Sequence, residues 1–173
     1  VVTAVYEGTR PLILEVQALV SPTNIGFARR TTIGVENSRL NMILAVLEKK
    51  MGLALINQDV YVNIVGGIRP EGTYTDLAVA LAVYSSYKGK VLGSRTVAVG
   101  EIGLTGDLRA VQNGEKILKE ASRLGFDRVV LPVKNAERLK KAAAEINARR
   151  QADGTAAIQL IGIKNIAEIQ RLF

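Results

Sequence analysis

The sequence contains no cysteine, no histidine and no tryptophan. Without cysteine the chain has neither disulfides nor thiol nucleophiles. Without histidine it cannot build a Ser-His triad, and the two absences together remove the usual ligands of a zinc site. A chain free of cysteine fits a reducing compartment, and we expect a cytoplasmic protein.

Long apolar runs are also missing. A membrane-spanning helix needs about 18 consecutive apolar residues, and no stretch approaches that length. With 48% apolar residues, the 173 residues suit one domain, over positions 1–173, with a sizeable buried core. The chain opens in a strand-like VVTAV, with no initiator methionine and no signal peptide. We therefore interpret it as a domain cut from a longer protein.

Negative charge is scarce relative to positive charge. The formal net charge is +7 and the sequence pI is about 9.8. This excess is typical either of a surface that happens to be basic or of a protein that binds a polyanion, most often nucleic acid. Only 5% of residues are aromatic, so phosphate contacts would dominate over base stacking in any nucleic-acid complex.

Period-2 and period-3.6 apolar patterns alternate along the chain, which predicts a mixed α/β or α+β sheet. The predicted elements are strands at 1–6 and 11–20, a connection at 21–36, a helix at 37–51 capped by Asn37 or Ser38, a strand at 60–65, a helix capped by Thr75 or Asp76, a strand at 96–99, a hairpin across 104–107, a helix at 113–124, a strand at 128–131, a polar helix at 135–150, a strand at 156–161 and a small C-terminal helix.

The stretch 59–81, DVYVNIVGGIRPEGTYTDLAVAL, organises the rest of the chain. A strand runs into Gly66-Gly67, a turn follows, and a helix then begins that is apolar on every face and should be buried. In enzymes this strand–turn–helix arrangement often presents a nucleophile at the start of the helix. Here the turn offers Tyr74 and Thr75 and no serine.

The connection at 21–36 carries Arg29-Arg30 followed by two threonines. One interpretation is a solvated loop. The other is a phosphate-binding arm, in which two guanidinium groups act as bidentate donors assisted by hydroxyls.

An ordered set of segments now supports a family assignment. AVYEGTRPLILEVQALV, ARRTTIGVENSRLNMILAVLEKK, NQDVYVNIVGG, DLAVALAVYSS, GEIGLTGDLRAV and EASRLGFDRVVLP occur in that order. This set resembles the C-terminal Lon-protease-like domain of RadA-type (Sms) bacterial recombination proteins, and the resemblance covers essentially the whole chain. It implies a Lon-protease-like fold with a strand–turn–helix core.

In active Lon proteases the turn before the central helix resembles PKDGPSAGI, whose serine is the nucleophile, and a lysine lies in a segment like GEVLPIGGLKEKL. Matching these segments places Tyr74 at the serine position and Glu115 at the lysine position. The resemblance therefore implies a pseudo-protease, because a Ser-Lys dyad needs a small hydroxyl beside a neutral lysine. A shift by one residue would offer Thr75 and Lys116, but it rotates the base by about 100° around its helix. Thr75 is better interpreted as a helix N-cap.

RadA-like proteins resemble hexameric ring motors, with a zinc-finger region and a RecA-like ATPase before the Lon-like domain. These 173 residues contain neither, and they include no G-x-x-x-x-G-K-[ST] phosphate loop. ATP with magnesium, and zinc, are therefore expected only in the missing domains, and no cofactor is expected in this one. The implied partners are single-stranded or branched DNA, further copies in a hexameric ring, and a recombinase bound by the full-length protein.

The proposed DNA-binding residues are Arg29, Arg30, Arg123 and Arg128, with Arg39, Arg69 and Arg109 as weaker candidates. The cations on the polar helix, Lys140, Lys141, Arg149 and Arg150, are interpreted as a solvated face. Three hypotheses follow: a non-catalytic DNA-binding scaffold supporting recombination and branch migration, a residual peptidase with a Thr-Lys dyad, and a pure oligomerisation domain. Casein cleavage would indicate the second, and an assembly without DNA affinity would indicate the third.

Overall fold

The computed structural model describes residues 1–24 and 26–173. Its elements, in chain order, are β1 Val2–Glu7, β2 Arg10–Pro22, β3 Arg30–Ile33, α1 Asn37–Met51, β4 Gln58–Ile64, α2 Asp76–Lys88, β5 Thr96–Ala98, β6 Glu101–Ile102, β7 Leu108–Arg109, α3 Gly114–Arg123, β8 Arg128–Pro132, α4 Val133–Arg138, α5 Lys140–Ala152, β9 Gln159–Ile163 and a closing 3₁₀ helix, Ile166–Leu172.

The main sheet has seven strands in the order β3-β4-β2-β1-β5-β8-β9. Strand β2 is antiparallel to both β1 and β4, whereas β5, β8 and β9 continue from β1 in parallel. Strands β6 and β7 form a separate hairpin. The predicted mixed α/β fold is confirmed.

Local sequence explains several of these elements. Strands β1 and β2 pair from Glu7 opposite Arg10, so Gly8 and Thr9 make a two-residue turn, and Gly8 adopts a φ of 61°. Helix α1 ends at Gly52, which has a φ of 66° and donates its N–H to the carbonyl of Glu48. The predicted bounds of α1 are confirmed. The predicted cap is wrong, because Glu36 holds the N-cap position and no side chain caps the helix.

Helix α2 is buried along its whole first part, from Asp76 to Tyr84, as its uniformly apolar sequence predicts. It lies with α1 on one face of the sheet, in a core that also includes Val60, Val62 and Ile64 of β4. A second core, on the opposite face, packs α3 and α5 against β1, β5 and β8. The burial of α2 fixes the position of the turn that precedes it.

Two sequence-based expectations are wrong. The connection at 21–36 contains strand β3, which pairs in parallel with β4. The polar helix predicted at 135–150 is two helices, α4 and α5, separated at Leu139. Leu139 is buried in the second core, and the break directs its side chain inward.

Among the described residues, no helix is long and apolar enough to cross a membrane.

Candidate functional site

The turn before α2 is tied to two other segments through Tyr74. The Tyr74 hydroxyl accepts a hydrogen bond of 2.8 Å from the backbone N–H of Gln112. The Tyr74 carbonyl accepts one of 2.9 Å from the N–H of Gly100. The phenol therefore spans from the start of α2 to the segment that leads into α3.

A second tyrosine holds the same segment. The Tyr6 hydroxyl donates a hydrogen bond of 2.7 Å to the carbonyl of Asn113, next to Gln112. Burial raises the pKa of the Tyr6 phenol, and the neighbouring Tyr74 adds to this effect. Two phenols thus bind consecutive residues at the entry to α3, and both rings pack against the second core.

Glu115 lies in the first turn of α3, at the same end of the helix that Tyr74 approaches. Its carboxylate is exposed and pairs with Lys119 one turn later, with 2.9 Å between Oε1 and Nζ. The two positions matched to the Lon dyad therefore lie at one end of α3, but their side chains bind different partners.

The alternative pair, Thr75 and Lys116, differs in environment. Thr75 is buried at the N-cap position of α2, whereas Lys116 is exposed on α3. Thr75 occupies the predicted cap position, but its hydroxyl makes no capping hydrogen bond, so that part of the prediction is wrong. A base exposed to water is not held at its nucleophile, which weakens this pair as a dyad.

Sequence reasoning missed the most buried charge near the turn, Asp76, which is 1% exposed. Its carboxylate receives hydrogen bonds from Nε of Arg39 at 2.9 Å, from Nη2 of Arg39 and from the N–H of Ile102 at 3.0 Å. Burial raises the pKa of Asp76, although these hydrogen bonds oppose the shift. The signal in the sequence was an aspartate opening an otherwise wholly apolar helix.

The four predicted DNA-binding arginines have different environments. Arg29 is exposed, and its guanidinium has no partner among the described residues. Arg30 is half-buried and directs its guanidinium to the carbonyls of Leu55, at 3.0 Å, and Gln58. Arg123 forms a two-pronged contact with Glu120, at 3.0 and 2.6 Å. Arg128 is half-buried, and its guanidinium lies over Gly93, so a side chain at position 93 would require the guanidinium to shift.

The three weaker candidates for DNA binding also have different environments. Arg39 forms an ion pair with Asp76. Arg109 lies 3.8 Å from Glu101 and 3.5 Å from Asp107. Arg69 is exposed, with no ion-pair partner in the described part of the chain. The structure does not gather the seven arginines into one patch built of free guanidinium groups.

Basic residues are also frequent in the sequence around the junction of α4 and α5, where Lys140 and Lys141 were predicted to belong to a solvated face. We call this the α4–α5 corner and define it by four exposed cations: Lys134, Arg138, Lys140 and Lys141. None of them has an ion-pair partner within the described ranges, although Glu137 lies among them in sequence.

The prediction that Arg150 belongs to a solvated face is wrong. Arg150 is 7% exposed, not solvated. Its guanidinium donates to the hydroxyl and the carbonyl of Ser122, at 3.0 and 3.2 Å, and to the carbonyls of Ala156, at 2.7 Å, and Phe126, at 2.6 Å. Arg150 therefore links α5 to α3 and to the segments that lead into β8 and β9.

In a comparison with known protein families, residues 21–135 match the family described as subunit ChlI of Mg-chelatase. The chain belongs to this family. The matched range includes β3, α1, β4, α2 and the turn with Tyr74, and it ends within α4. The matched range contains Tyr74, Asp76, Gln112 and Glu115, whereas Tyr6, most of the α4–α5 corner and Arg150 lie outside it.

Curated relatives of this ChlI-family chain include proteins named DNA repair protein RadA. The one from Halalkalibacterium halodurans is 46% identical over 134 residues, which cover 78% of this chain and 29% of that protein. The one from Bacillus subtilis is 38% identical over 170 residues, 98% of this chain and 34% of that protein. The one from Streptococcus pneumoniae is 42% identical over 168 residues, 97% and 37% respectively. The chain is homologous to RadA proteins over most of its length, and it spans about a third of theirs.

Proposed function

We propose that this chain is a non-catalytic, Lon-like module of a RadA-type DNA repair protein, which binds DNA and assembles with further copies of itself. The homology to RadA proteins supports the role in repair. In this proposal the ATP-dependent motor and the zinc site belong to parts of the parent outside this chain. The parent is cytoplasmic and acts on single-stranded or branched DNA beside a recombinase, in a hexameric ring.

The observation that carries the non-catalytic part is the binding of Tyr74 to Gln112. A peptidase needs a nucleophile held beside a base, with room for a peptide carbonyl. At this site a phenol fills the approach to α3 and accepts a backbone hydrogen bond of 2.8 Å, while Glu115 is paired with Lys119. The residual peptidase using Thr75 and Lys116 is the competing hypothesis.

The casein assay separates these two hypotheses. We expect no cleavage of fluorescent casein, even at high enzyme concentration. Cleavage that disappears in Thr75→Ala would overturn the pseudo-protease assignment. The matched control is Thr9→Ala, which removes the same hydroxyl from an exposed position in the turn between β1 and β2.

The DNA-binding part rests on the distribution of free cations. Phosphate contacts need guanidinium or ammonium donors that are not already neutralised. Among the predicted residues, support is strongest for Arg29, because it is exposed and has no partner in the described chain. Arg30, Arg123 and Arg128 would have to exchange their present contacts for phosphate. The α4–α5 corner adds four exposed cations.

The experiment is a fluorescence-anisotropy titration of this chain with a single-stranded oligonucleotide at several salt concentrations. Log affinity should fall linearly with log salt, by roughly 0.7 per phosphate neutralised on a single strand. Arg29→Ala and the double variant Lys140→Ala, Lys141→Ala should weaken binding and make the slope shallower. Lys90→Ala, an exposed lysine in the turn after α2, is the control for loss of one charge.

Two results would count against this part of the proposal. If no binding occurs at low salt, the positive charge has no nucleic-acid partner, and the chain is an oligomerisation domain alone. If Lys90→Ala weakens binding as much as Arg29→Ala, net charge rather than a defined surface attracts the DNA.

A further inference from the structure

One half of the main sheet is covered on a single face. Helices α1 and α2 cover the first face, against residues of β2, β4 and β5. On the second face α3 and α5 cover the half that contains β1, β5 and β8. The rest of this face, formed by the edge strand β3, β4 and the 15–22 part of β2, has no helix over it within the described chain, whereas Ile13 in the first part of β2 packs in the second core. We call this uncovered part the outer half-face.

The pairing register defines which side chains lie on the outer half-face. Val60, Val62 and Ile64 of β4 point into the first core. Their neighbours therefore point outward, together with the residues opposite them on β2 and β3. The outward set is Glu15, Gln17, Leu19, Ser21, Thr31, Ile33, Asp59, Tyr61 and Asn63.

The outer half-face combines exposed aliphatic side chains with a short amide network. Leu19 is 58% exposed and Ile33 is 60% exposed. Between them, Asn63 donates to Gln17 at 3.3 Å, and Gln17 donates to Glu15 at 3.3 Å. Removing these two aliphatic side chains from water would favour contact with another protein surface.

The charge of the outer half-face is opposite to that of the chain. The chain carries 23 lysines and arginines against 16 acidic residues. Yet the nine outward positions, all described, include Glu15 and Asp59 and no lysine or arginine. Arg29 borders the face at the start of β3. Nearly all of the positive charge therefore lies on other surfaces.

We propose that the outer half-face is the contact surface for a second copy of this chain, which places one of its basic surfaces there in a head-to-tail arrangement. Contact between two outer half-faces would bring carboxylates together, whereas contact with a basic surface pairs opposite charges. Such an interface is heterologous and leaves each copy with one face still free to bind the next. The inference rests on the self-assembly part of the proposed function and names the surface that assembly uses.

DNA is a poor occupant of the same surface. Phosphate groups would meet two carboxylates and no cation among the nine outward residues. Lys140 and Lys141 of the α4–α5 corner lie outside the outer half-face, so their substitution is expected to change DNA binding alone, whereas Arg29 lies at the edge of the face and donates its N–H to Asp59.

The first test is sedimentation velocity of this chain and of Leu19→Arg, Ile33→Arg. Both residues are exposed, so the variant should fold, and its urea midpoint provides the check. The matched control is Val91→Arg, Leu104→Arg, which places the same charges at sites 86% and 69% exposed and away from the half-face. We expect an oligomer for the parent and the control, and a dissociation constant raised at least tenfold for the half-face variant.

The second test determines the orientation of the contact and uses the absence of native cysteine. In an Ile33→Cys variant, a maleimide–succinimidyl cross-linker should join the introduced thiol to lysines of another copy. A bis-maleimide should give little dimer. An efficient dimer with the bis-maleimide would show two outer half-faces in contact and would overturn the head-to-tail proposal.

The remaining outcomes are also decisive. A parent chain that sediments as a monomer at every soluble concentration overturns the inference, whatever its DNA affinity. An oligomer unaffected by Leu19→Arg, Ile33→Arg places the contact elsewhere and also overturns it. If the parent chain forms the oligomer but does not bind DNA, only the DNA-binding proposal is contradicted.

Discussion

Arg39 and Asp76 form an ion pair that joins the first turn of α1 to the first turn of α2. The side chain of Asp76 is 2% exposed and that of Arg39 is 21% exposed. The pair also binds a third segment, strand β6. Arg39 donates to the carbonyl of Ile102 at 3.0 Å, and the N–H of Ile102 donates to Asp76. The pair therefore fixes the β6–β7 hairpin against the two helices that flank the candidate site.

Arg39→Met should destabilise the fold strongly. The substitution keeps most of the side-chain length but leaves the Asp76 carboxylate buried without its partner, which typically costs about 3–5 kcal/mol. The free energy of unfolding by urea measures the loss. Arg109→Met is the control, because Arg109 is 60% exposed in its ion pairs, and it should cost about 1 kcal/mol or less.

The double variant Arg39→Met, Asp76→Leu tests the cause of that loss. With both charges removed, stability should recover most of the way toward the parent, because no unpaired charge is left buried. A double variant as unstable as Arg39→Met would mean that packing around Arg39, and not the charge of Asp76, limits stability.

Tyr74→Phe should cost about 0.5–1.5 kcal/mol of unfolding free energy, since it removes the hydroxyl that accepts the N–H of Gln112. Tyr61→Phe is the comparison, because its hydroxyl has no hydrogen-bond partner among the described residues, and it should be nearly neutral. Equal effects in both variants would show that the Tyr74 hydroxyl does not hold the segment before α3.

The elements that could be predicted from sequence are those specified by their own residues. Helix α2 is apolar at consecutive positions and is buried on all sides. In β4 the residues Val60, Val62 and Ile64, which alternate with their neighbours in the sequence, all lie in the first core. Strand β3 was missed because its sequence, RTTI, is polar at three of four positions and gains its structure by pairing with β4, where Arg30 lies opposite Val60.

The candidate site could be predicted less well, because it depends on contacts between distant segments. Sequence identified the turn and Tyr74, but the partner of Tyr74 lies 38 residues away. The same holds for Arg39, whose carboxylate partner is 37 residues away. An arginine in sequence carries no sign of whether it will meet phosphate, a carboxylate or a carbonyl.

The 3₁₀ helix at the C-terminus should make stability depend on pH through Glu168. Burial would raise the pKa of this carboxyl, but hydrogen bonds from the N–H groups of Asn165, at 3.1 Å, and Lys164, at 2.6 Å, outweigh it and leave the pKa below its ordinary value of 4.5. Because the folded pKa is lowered, the stabilisation is present above the ordinary pKa and is lost as pH falls through the folded value. Glu168→Gln removes this titration. The unfolding free energy of the variant should therefore fall less than that of the parent as the pH is lowered through the folded pKa of Glu168.

The matched control for this pH profile is Glu145→Gln, at an exposed position on α5. Its profile should follow that of the parent chain. If Glu168→Gln also follows the parent, the acid-induced loss arises from other carboxyls, and the cap at Glu168 is not coupled to folding.

Arg150 should be the cation whose removal costs most stability outside the pair described first. Its guanidinium is buried and binds Ser122, Phe126 and Ala156 through neutral oxygens. Arg150→Met would remove the guanidinium donors from the carbonyls of Phe126 and Ala156, and we expect a loss of about 2–4 kcal/mol, since each hydrogen bond to a charged group contributes about 1.5–3 kcal/mol. Urea unfolding measures this loss.

Two further variants separate the shape of the Arg150 side chain from its charge. Arg150→Lys should recover little stability, because an ammonium cannot reproduce the planar fork that reaches several acceptors at once. Arg149→Met, at the exposed neighbouring position, should stay within about 0.5 kcal/mol of the parent. A lysine variant as stable as the parent would show that positive charge alone is needed at position 150. Equal losses at 149 and 150 would show that α5 requires both cations for its own stability, rather than Arg150 for tertiary contacts.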